Sequence, residues 1–140
     1  MTDPTQQFFT ARPESVRAAR DFTTRTLAAR ELDVRTEDVR LCVSELASNA
    51  VTHGTAPGHG FLVRIVIDDD VVRLEVHDSR SRPPVPGEPA DTDVAGRGLL
   101  IVAALSDDWG VTTREPFGKI VWSCFKVARD TGARDTGSLR

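Results

Sequence analysis

Two neighbouring runs of alternating residues constrain the fold of this chain more than any other feature. FLVRIVID begins at Phe61 and VVRLEVHD begins at Val71, and Asp69 and Asp70 join them. In the second run, apolar residues alternate with arginine, glutamate and histidine, a period of two that is typical of a sheet with one buried and one wet face. The sequence therefore predicts an antiparallel hairpin that needs a second layer over its apolar face.

The rest of the chain supplies helices for that layer and further strands. The expected elements are a strand over Gln7 to Thr10, a helix from Pro13 to about Glu31, a helix from Thr36 to Gly54, a helix over Leu99 to Leu105, and strands from Asp108 and Lys119. Thr36 is the expected N-cap of the second helix. The predicted fold class is α+β, a two-layer sandwich with a mostly antiparallel sheet and helices on one face. We expect residues 1–127 to form one domain and residues 128–140 a disordered polar tail.

Composition and charge exclude several classes of protein. The 18 basic residues are scattered among 21 acidic ones and the net charge is −3, which argues against a nucleic-acid partner. Cys42 and Cys124 lie in apolar segments and are expected to point inward as free thiols. No run reaches the roughly 18 apolar residues of a membrane span, and the first residues lack a secretory signal. We therefore expect a cytoplasmic protein without a membrane partner.

Three polar residues recur at every fourth position of the helix predicted from Thr36 to Gly54. They are Glu45, Asn49 and His53, and side chains four apart lie one above another on a helix. A carboxylate and an amide oxygen would be about 6 Å apart along the axis, a spacing that suits a base beside a metal ligand. Alternatively, Glu45 is an exposed helical acid and Asn49 a boundary residue. The core stripe beside them is predicted to contain Val39, Val43, Leu46 and Ala50.

A long proline-rich segment separates the hairpin from the third helix. Ser79 to Ala95 contains four prolines and few large apolar residues, and loops of this length are commonly lids or binding segments. We therefore predict a lid over about residues 79–97. Gly96 and Gly98 would open the next helix, where backbone N–H groups can bind an anion, although a glycine pair before a helix is often an ordinary turn.

Four motifs, in this order, resemble those of a known ATPase superfamily. They are ELASNAVTHG from Glu45, Asp78 at a strand end, GRGL from Gly96 and GKIVW from Gly118. They resemble the N, G1, G2 and G3 boxes of the histidine kinase/gyrase/MutL (GHKL, Bergerat fold) ATPases. Within that superfamily the chain is most similar to the small anti-sigma-factor serine kinases of bacteria, and the resemblance covers about Gln7 to Val127.

The resemblance implies a role for each matching residue. Asn49 would ligate a magnesium ion that bridges the ATP phosphates, and Glu45 would be the general base for an attacking hydroxyl. Asp78 would accept a hydrogen bond from the adenine amino group; alternatively, it is an ordinary turn-initiating residue. Further nucleotide contacts are implied for Gly96, Arg97, Gly98 and Leu99.

Some residues near these motifs keep a second interpretation. Arg97 could reach the phosphates or be a solvated lid residue. Lys119 could touch the nucleotide or be an edge-strand lysine that blocks sheet pairing. His53 is interpreted as a supporting hydrogen-bonding residue at the helix end.

The segment after Asp78 departs from the family pattern. The G1 box usually reads Asp-x-Gly-x-Gly, whereas here no glycine follows until Gly87. The bend beside adenine must therefore be made differently. Arg80 or Arg82 could replace backbone amides as phosphate contacts, or be exposed to solvent.

Together these residues imply an ATP-dependent serine/threonine kinase that is also an anti-sigma factor. It would use ATP and Mg²⁺, phosphorylate a STAS-type anti-sigma antagonist, sequester a sigma factor, and form a homodimer through its N-terminal strand and helix face. The alternative is a non-catalytic ATP-binding module that sequesters a partner. An ATPase motor or a sensor histidine kinase would need a further domain beyond these 140 residues.

Overall fold

The computed structural model describes residues 4–32, 35–54, 59–79, 93–114 and 118–127. Its elements are β1 (Thr5–Thr10), α1 (Glu14–Ala29), α2 (Thr36–Asn49) with a following π turn (Ala50–Gly54), β2 (Gly60–Asp68), β3 (Val71–Asp78), α3 (Asp93–Leu105), β4 (Asp108–Thr113) and β5 (Lys119–Lys126). Most of the predicted lid and the whole predicted tail lie outside the described residues. None of the described helices is long and apolar enough to cross a membrane.

In the part of the chain that the structure describes, the sheet has five strands in the order β1-β2-β3-β5-β4, and each of these neighbouring pairs is antiparallel. The predicted hairpin is confirmed: Ile67 lies opposite Val72 and Leu62 lies opposite His77. Asp69 in its turn has a φ of 54°, a left-handed conformation that aspartate tolerates better than most residues.

The helices cover one face of this sheet. The alternate residues of β2 that face them, from Phe61 to Ile67, are at most 5% exposed. α2 lies at the centre of the helical layer, packed against α1, α3, β3 and β5. All four residues predicted for its core stripe are buried. The predicted α+β sandwich is therefore confirmed.

Three helix boundaries differ from the prediction. α2 begins at Thr36, but its N-cap position is Arg35, so the predicted capping role of Thr36 is wrong. Its α-helical part ends at Asn49, and the chain continues as a π turn to Gly54. α3 begins at Asp93, six residues before the predicted start at Leu99.

The outer face of the sheet holds one cysteine that was expected inside. Along β5, Val121, Ser123 and Phe125 face the helices, so Cys124 points to the opposite face and is half-buried. Cys42 is buried as predicted, and burial raises the pKa of its thiol to about 12.

Arg35 joins the N-terminal end of α2 to the C-terminal end of α3. Its guanidinium donates to Asp107 Oδ2 at 2.7 Å and to the Leu105 carbonyl oxygen at 2.8 Å. It also donates to Asp38 Oδ2 at 3.2 Å, and its Cζ lies 5.3 Å from the centre of the Phe125 ring. Burial alone would lower the pKa of Arg35, but the hydrogen bonds to the two carboxylates raise it above its ordinary value. Arg35 therefore connects α2 to the end of α3 through hydrogen bonds.

Replacing this residue should destabilise the fold. Arg35→Met is expected to lower the free energy of unfolding by about 1–2 kcal/mol, because the Leu105 carbonyl, Asp38 and Asp107 each lose the guanidinium as a hydrogen-bond donor. Urea unfolding followed by circular dichroism measures the change. Arg17→Met, on the exposed face of α1, is the control and should stay within about 0.5 kcal/mol of the unaltered protein. Equal urea concentrations at the unfolding midpoint for Arg35→Met and Arg17→Met would contradict a stabilising role of Arg35.

Candidate functional site

Glu45 and Asn49 lie one turn apart near the C-terminal end of α2, and both are half-buried. Their helical positions put them beside the core stripe, on the side of α2 that meets α3. The predicted pairing of a carboxylate and an amide on one helical line is therefore present. His53 lies in the π turn, and its side chain is outside the described part of the structure.

Gly98 brings α3 against this pair. A Cβ atom on Gly98 would lie 2.8 Å from Oε1 of Glu45 and 3.6 Å from Nδ2 of Asn49. Real Cβ atoms essentially never come as close to another heavy atom as the first distance, so only glycine allows the two helices to approach with Glu45 in this position. The structure thus brings Gly98, which follows Asn49 by 49 residues in the sequence, into one cluster with Glu45 and Asn49.

The two glycines of the GRGL motif have different positions in α3. α3 begins at Asp93, and the N–H groups of the first three residues of a helix lack intrahelical partners. Gly96 is the fourth residue of α3, where the N–H groups begin to donate within the helix, so its phosphate contact stays a prediction. Gly98 is inside the helix and acts through its lack of a side chain. The prediction that both glycines open the helix is wrong.

The structure says less about the other proposed nucleotide contacts. Leu99 is 1% exposed, so its side chain belongs to the hydrophobic core, and its nucleotide contact stays a prediction. The side chain of Arg97 lies outside the described part of the structure, and its phosphate contact stays a prediction. Arg80 and Arg82 also lie outside the described residues.

Asp78 ends β3 in a buried ion pair. Nζ of Lys119 donates to Asp78 Oδ1 at 2.9 Å and to Oδ2 at 2.8 Å. The side chain of Asp78 is 4% exposed and that of Lys119 is 6% exposed. Because β5 lies between β3 and β4, the interpretation of Lys119 as an edge-strand lysine is wrong.

Sequence reasoning considered these two residues separately. The signal that joins them is the pairing of β3 with β5, in which Asp78 lies directly opposite Lys119. Residues at that position in neighbouring strands are within side-chain reach, and opposite charges there attract. The pairing of strands about 40 residues apart cannot be read from local periodicity.

The Asp78 end of β3 and the C-terminal end of α2 lie at the same end of the sandwich. β2 begins beside that end of β3, since Leu62 is opposite His77. The π turn that continues α2 contacts both β2 and β3. Short π-helical segments are frequent at functional sites, and this one links the Asn49 region to the Asp78 region.

The donor atoms of this region fit magnesium and a polyphosphate. Magnesium prefers oxygen ligands, and it commonly takes one or two from protein and the rest from water and phosphate. Asn49 supplies such an oxygen from its side-chain amide, and the carboxylate of Glu45 lies one turn away. Within the described residues, no group of three or more His, Cys, Asp or Glu side chains could hold a metal. A magnesium ion held by Asn49 would take its other ligands from water and phosphate.

Comparison with known proteins identifies the family. A family model described as "Histidine kinase-like ATPase domain" matches residues 9–125, which is most of the chain. This chain belongs to the histidine kinase-like ATPase domain family. The superfamily resemblance drawn from the four motifs is therefore confirmed, and membership of an ATPase domain family implies ATP binding. No curated protein matches the chain.

A solved structure shares the fold of this histidine kinase-like ATPase domain. It is the crystal structure of the RsbU and RsbW domains of Rv1364c from Mycobacterium tuberculosis, with a TM-score of 0.70 and 22% sequence identity. The alignment covers 91% of this chain and 32% of that chain. The present chain thus spans about a third of the length of that crystallised chain, and at this identity the similarity shows the fold.

Proposed function

We propose that this chain is an ATP-dependent serine/threonine protein kinase that is also an anti-sigma factor. It phosphorylates a STAS-type anti-sigma antagonist and sequesters a sigma factor. Residues 1–127 are the ATP-binding domain, and the protein acts in the cytoplasm as a homodimer. The observation that carries the proposal is the contact between α2 and α3, where a carboxylate and an amide meet a glycine in an ATPase-family fold. The anti-sigma role rests on the motif resemblance.

Each residue of the site has a separate role in phosphoryl transfer. Such transfer needs mainly positioning, charge stabilisation and a residue that orients the nucleophile. Glu45 accepts the proton of the attacking serine or threonine hydroxyl at a carboxylate oxygen. Asn49 offers its amide oxygen to a magnesium ion, which when bound supplies positive charge to the phosphates. Asp78 accepts a hydrogen bond from the amino group of adenine. Gly98 leaves room for the side chain of Glu45 beside α3.

The alternative is an ATP-binding module that sequesters a protein partner without transferring phosphate. The segment after Asp78 favours it, because no glycine is present there until Gly87. Both candidates bind ATP. They differ in transfer of the γ-phosphate to a protein.

A labelling experiment separates the two candidates. The purified chain is incubated with γ-labelled ATP, magnesium and a STAS-domain protein encoded beside its gene. Label on the STAS-domain protein supports the kinase. Calorimetric ATP binding without any label transfer supports the sequestering module. Absence of ATP binding contradicts both.

The magnesium ligand can be tested separately. Asn49→Ala is expected to weaken ATP binding in the presence of magnesium by roughly 10- to 100-fold and to have little effect in EDTA, because only the metal-dependent part of binding is lost. Ser48→Ala, the neighbouring half-buried position of α2, is the matched control. Calorimetry with and without magnesium measures both. An equal loss under the two conditions would indicate damage to the helix and contradict the ligand role.

A further inference from the structure

The Asp78–Lys119 ion pair is buried between the ends of two paired strands. Both residues lie on the face of the sheet that the helices cover, because each continues the alternation of buried residues along its strand. They are directly opposed in register, and the ammonium contacts both carboxylate oxygens. The pair therefore presents a fixed acceptor next to a fixed donor.

Gly118 explains why the two side chains come so close. Its φ is 103°, a conformation that other residues rarely adopt. A Cβ atom at this position would lie 2.3 Å from the backbone oxygen of Asp78. Only glycine lets the start of β5 approach the end of β3 in this way. The close backbone approach sets Lys119 beside the carboxylate.

The charges of the pair also suit each other. A lone buried carboxylate is costly to keep ionised, whereas a hydrogen-bonded partner of opposite charge offsets much of that cost. Lys119 therefore allows a carboxylate to remain at a buried strand end. Because the ammonium is also a strong hydrogen-bond donor, a ligand that reaches Asp78 meets Lys119 as well.

Adenine carries the complementary pair of groups. On its Watson–Crick edge the N6 amino donor lies next to the N1 acceptor. A carboxylate alone can match only the amino group, whereas a carboxylate beside an ammonium can match both atoms. Hypoxanthine has these roles exchanged, with an acceptor at O6 and a donor at N1. The strand register fixes the positions of Asp78 and Lys119, so the exchanged edge would not fit both.

We infer that Lys119 is a base-reading residue whose Nζ donates to N1 of adenine while Asp78 accepts from N6. This inference rests on the proposed ATP-binding function. It assigns the choice of adenine over other purines to an ion pair instead of a single carboxylate. It also gives the lysine of the GKIVW motif a role beside the nucleotide, one of the two interpretations that its sequence position allowed.

The test compares ATP with 1-deaza-ATP, in which a C–H group replaces N1 and the amino group is kept. Calorimetry on the unaltered full chain should show binding of 1-deaza-ATP about 10- to 100-fold weaker than that of ATP, the size of a lost hydrogen bond to a charged donor. ITP should also bind more weakly than ATP. For Lys119→Met, ATP and 1-deaza-ATP should bind with similar affinity. Lys126→Met, at the exposed other end of β5, is the matched control. It should bind ATP more tightly than 1-deaza-ATP by the same factor as the unaltered protein.

Each outcome decides the inference. Equal binding of ATP and 1-deaza-ATP by the unaltered protein overturns it and leaves the proposed function standing. Tighter ATP binding by Lys119→Met also overturns it, because the lysine would then compete with the base for Asp78. If neither nucleotide binds, the proposed function fails together with the inference. The ratio in the unaltered protein decides the question even if Lys119→Met does not fold.

Discussion

Glu45→Gln is expected to lower the rate of phosphoryl transfer by about 10²- to 10⁴-fold, the usual contribution of a general base. The amide has nearly the shape of the carboxylate, so it can occupy the same place beside Gly98. It cannot accept the hydroxyl proton. ATP affinity should change by no more than about threefold, since a group that acts only in the transition state contributes little to ground-state binding.

Single-turnover transfer of label from ATP to the STAS-domain protein measures this effect, and calorimetry measures ATP affinity in parallel. The control is Glu37→Gln in the first turn of α2, where the side chain is 89% exposed. That variant should transfer at the rate of the unaltered protein. Transfer by Glu45→Gln at the same rate would show that another group accepts the proton.

Local patterns were sufficient for much of the fold. The alternation in β2 and β3 predicts both the hairpin and its inner face, because a period of two leaves little freedom in which side is buried. The stripe of α2 likewise predicts which of its residues enter the core. The spacing of Glu45 and Asn49 follows from the same periodicity, so the α2 half of the site could be predicted from the sequence.

The rest depends on contacts between distant parts of the chain. The start of α3 was missed because Gly96 and Gly98 each disfavour a helix by about 1 kcal/mol relative to alanine. α3 nevertheless packs on α2, where Glu45 in its present position leaves no room for a Cβ atom at Gly98. The partner of Asp78 was missed because β3 pairs with β5, which follows it only after α3 and β4. In both cases a contact between distant parts of the chain determines the structure, and local sequence propensity contains no information about that contact.

Gly98→Ala should separate stability from activity in this site. Alanine favours the interior of a helix by about 1 kcal/mol over glycine, so the free energy of unfolding should not fall appreciably. The new Cβ atom would nevertheless lie 2.8 Å from Oε1 of Glu45, and the flexible carboxylate must move away. Because misplacement of a catalytic group by about 1 Å can cost on the order of 10²-fold in rate, transfer should fall by about that factor.

The matched control is Ala104→Gly, an exposed position of the same helix. It should lower the free energy of unfolding by about 1 kcal/mol and leave the transfer rate unchanged, which is the opposite pattern. A coupling test follows from the same geometry. Aspartate at position 45 is shorter by one methylene group, so the double variant Gly98→Ala/Glu45→Asp should transfer faster than the product of the two single effects predicts. Independent effects of the two substitutions would contradict the steric contact, and a full rate in Gly98→Ala would show that Glu45 works equally well from another position.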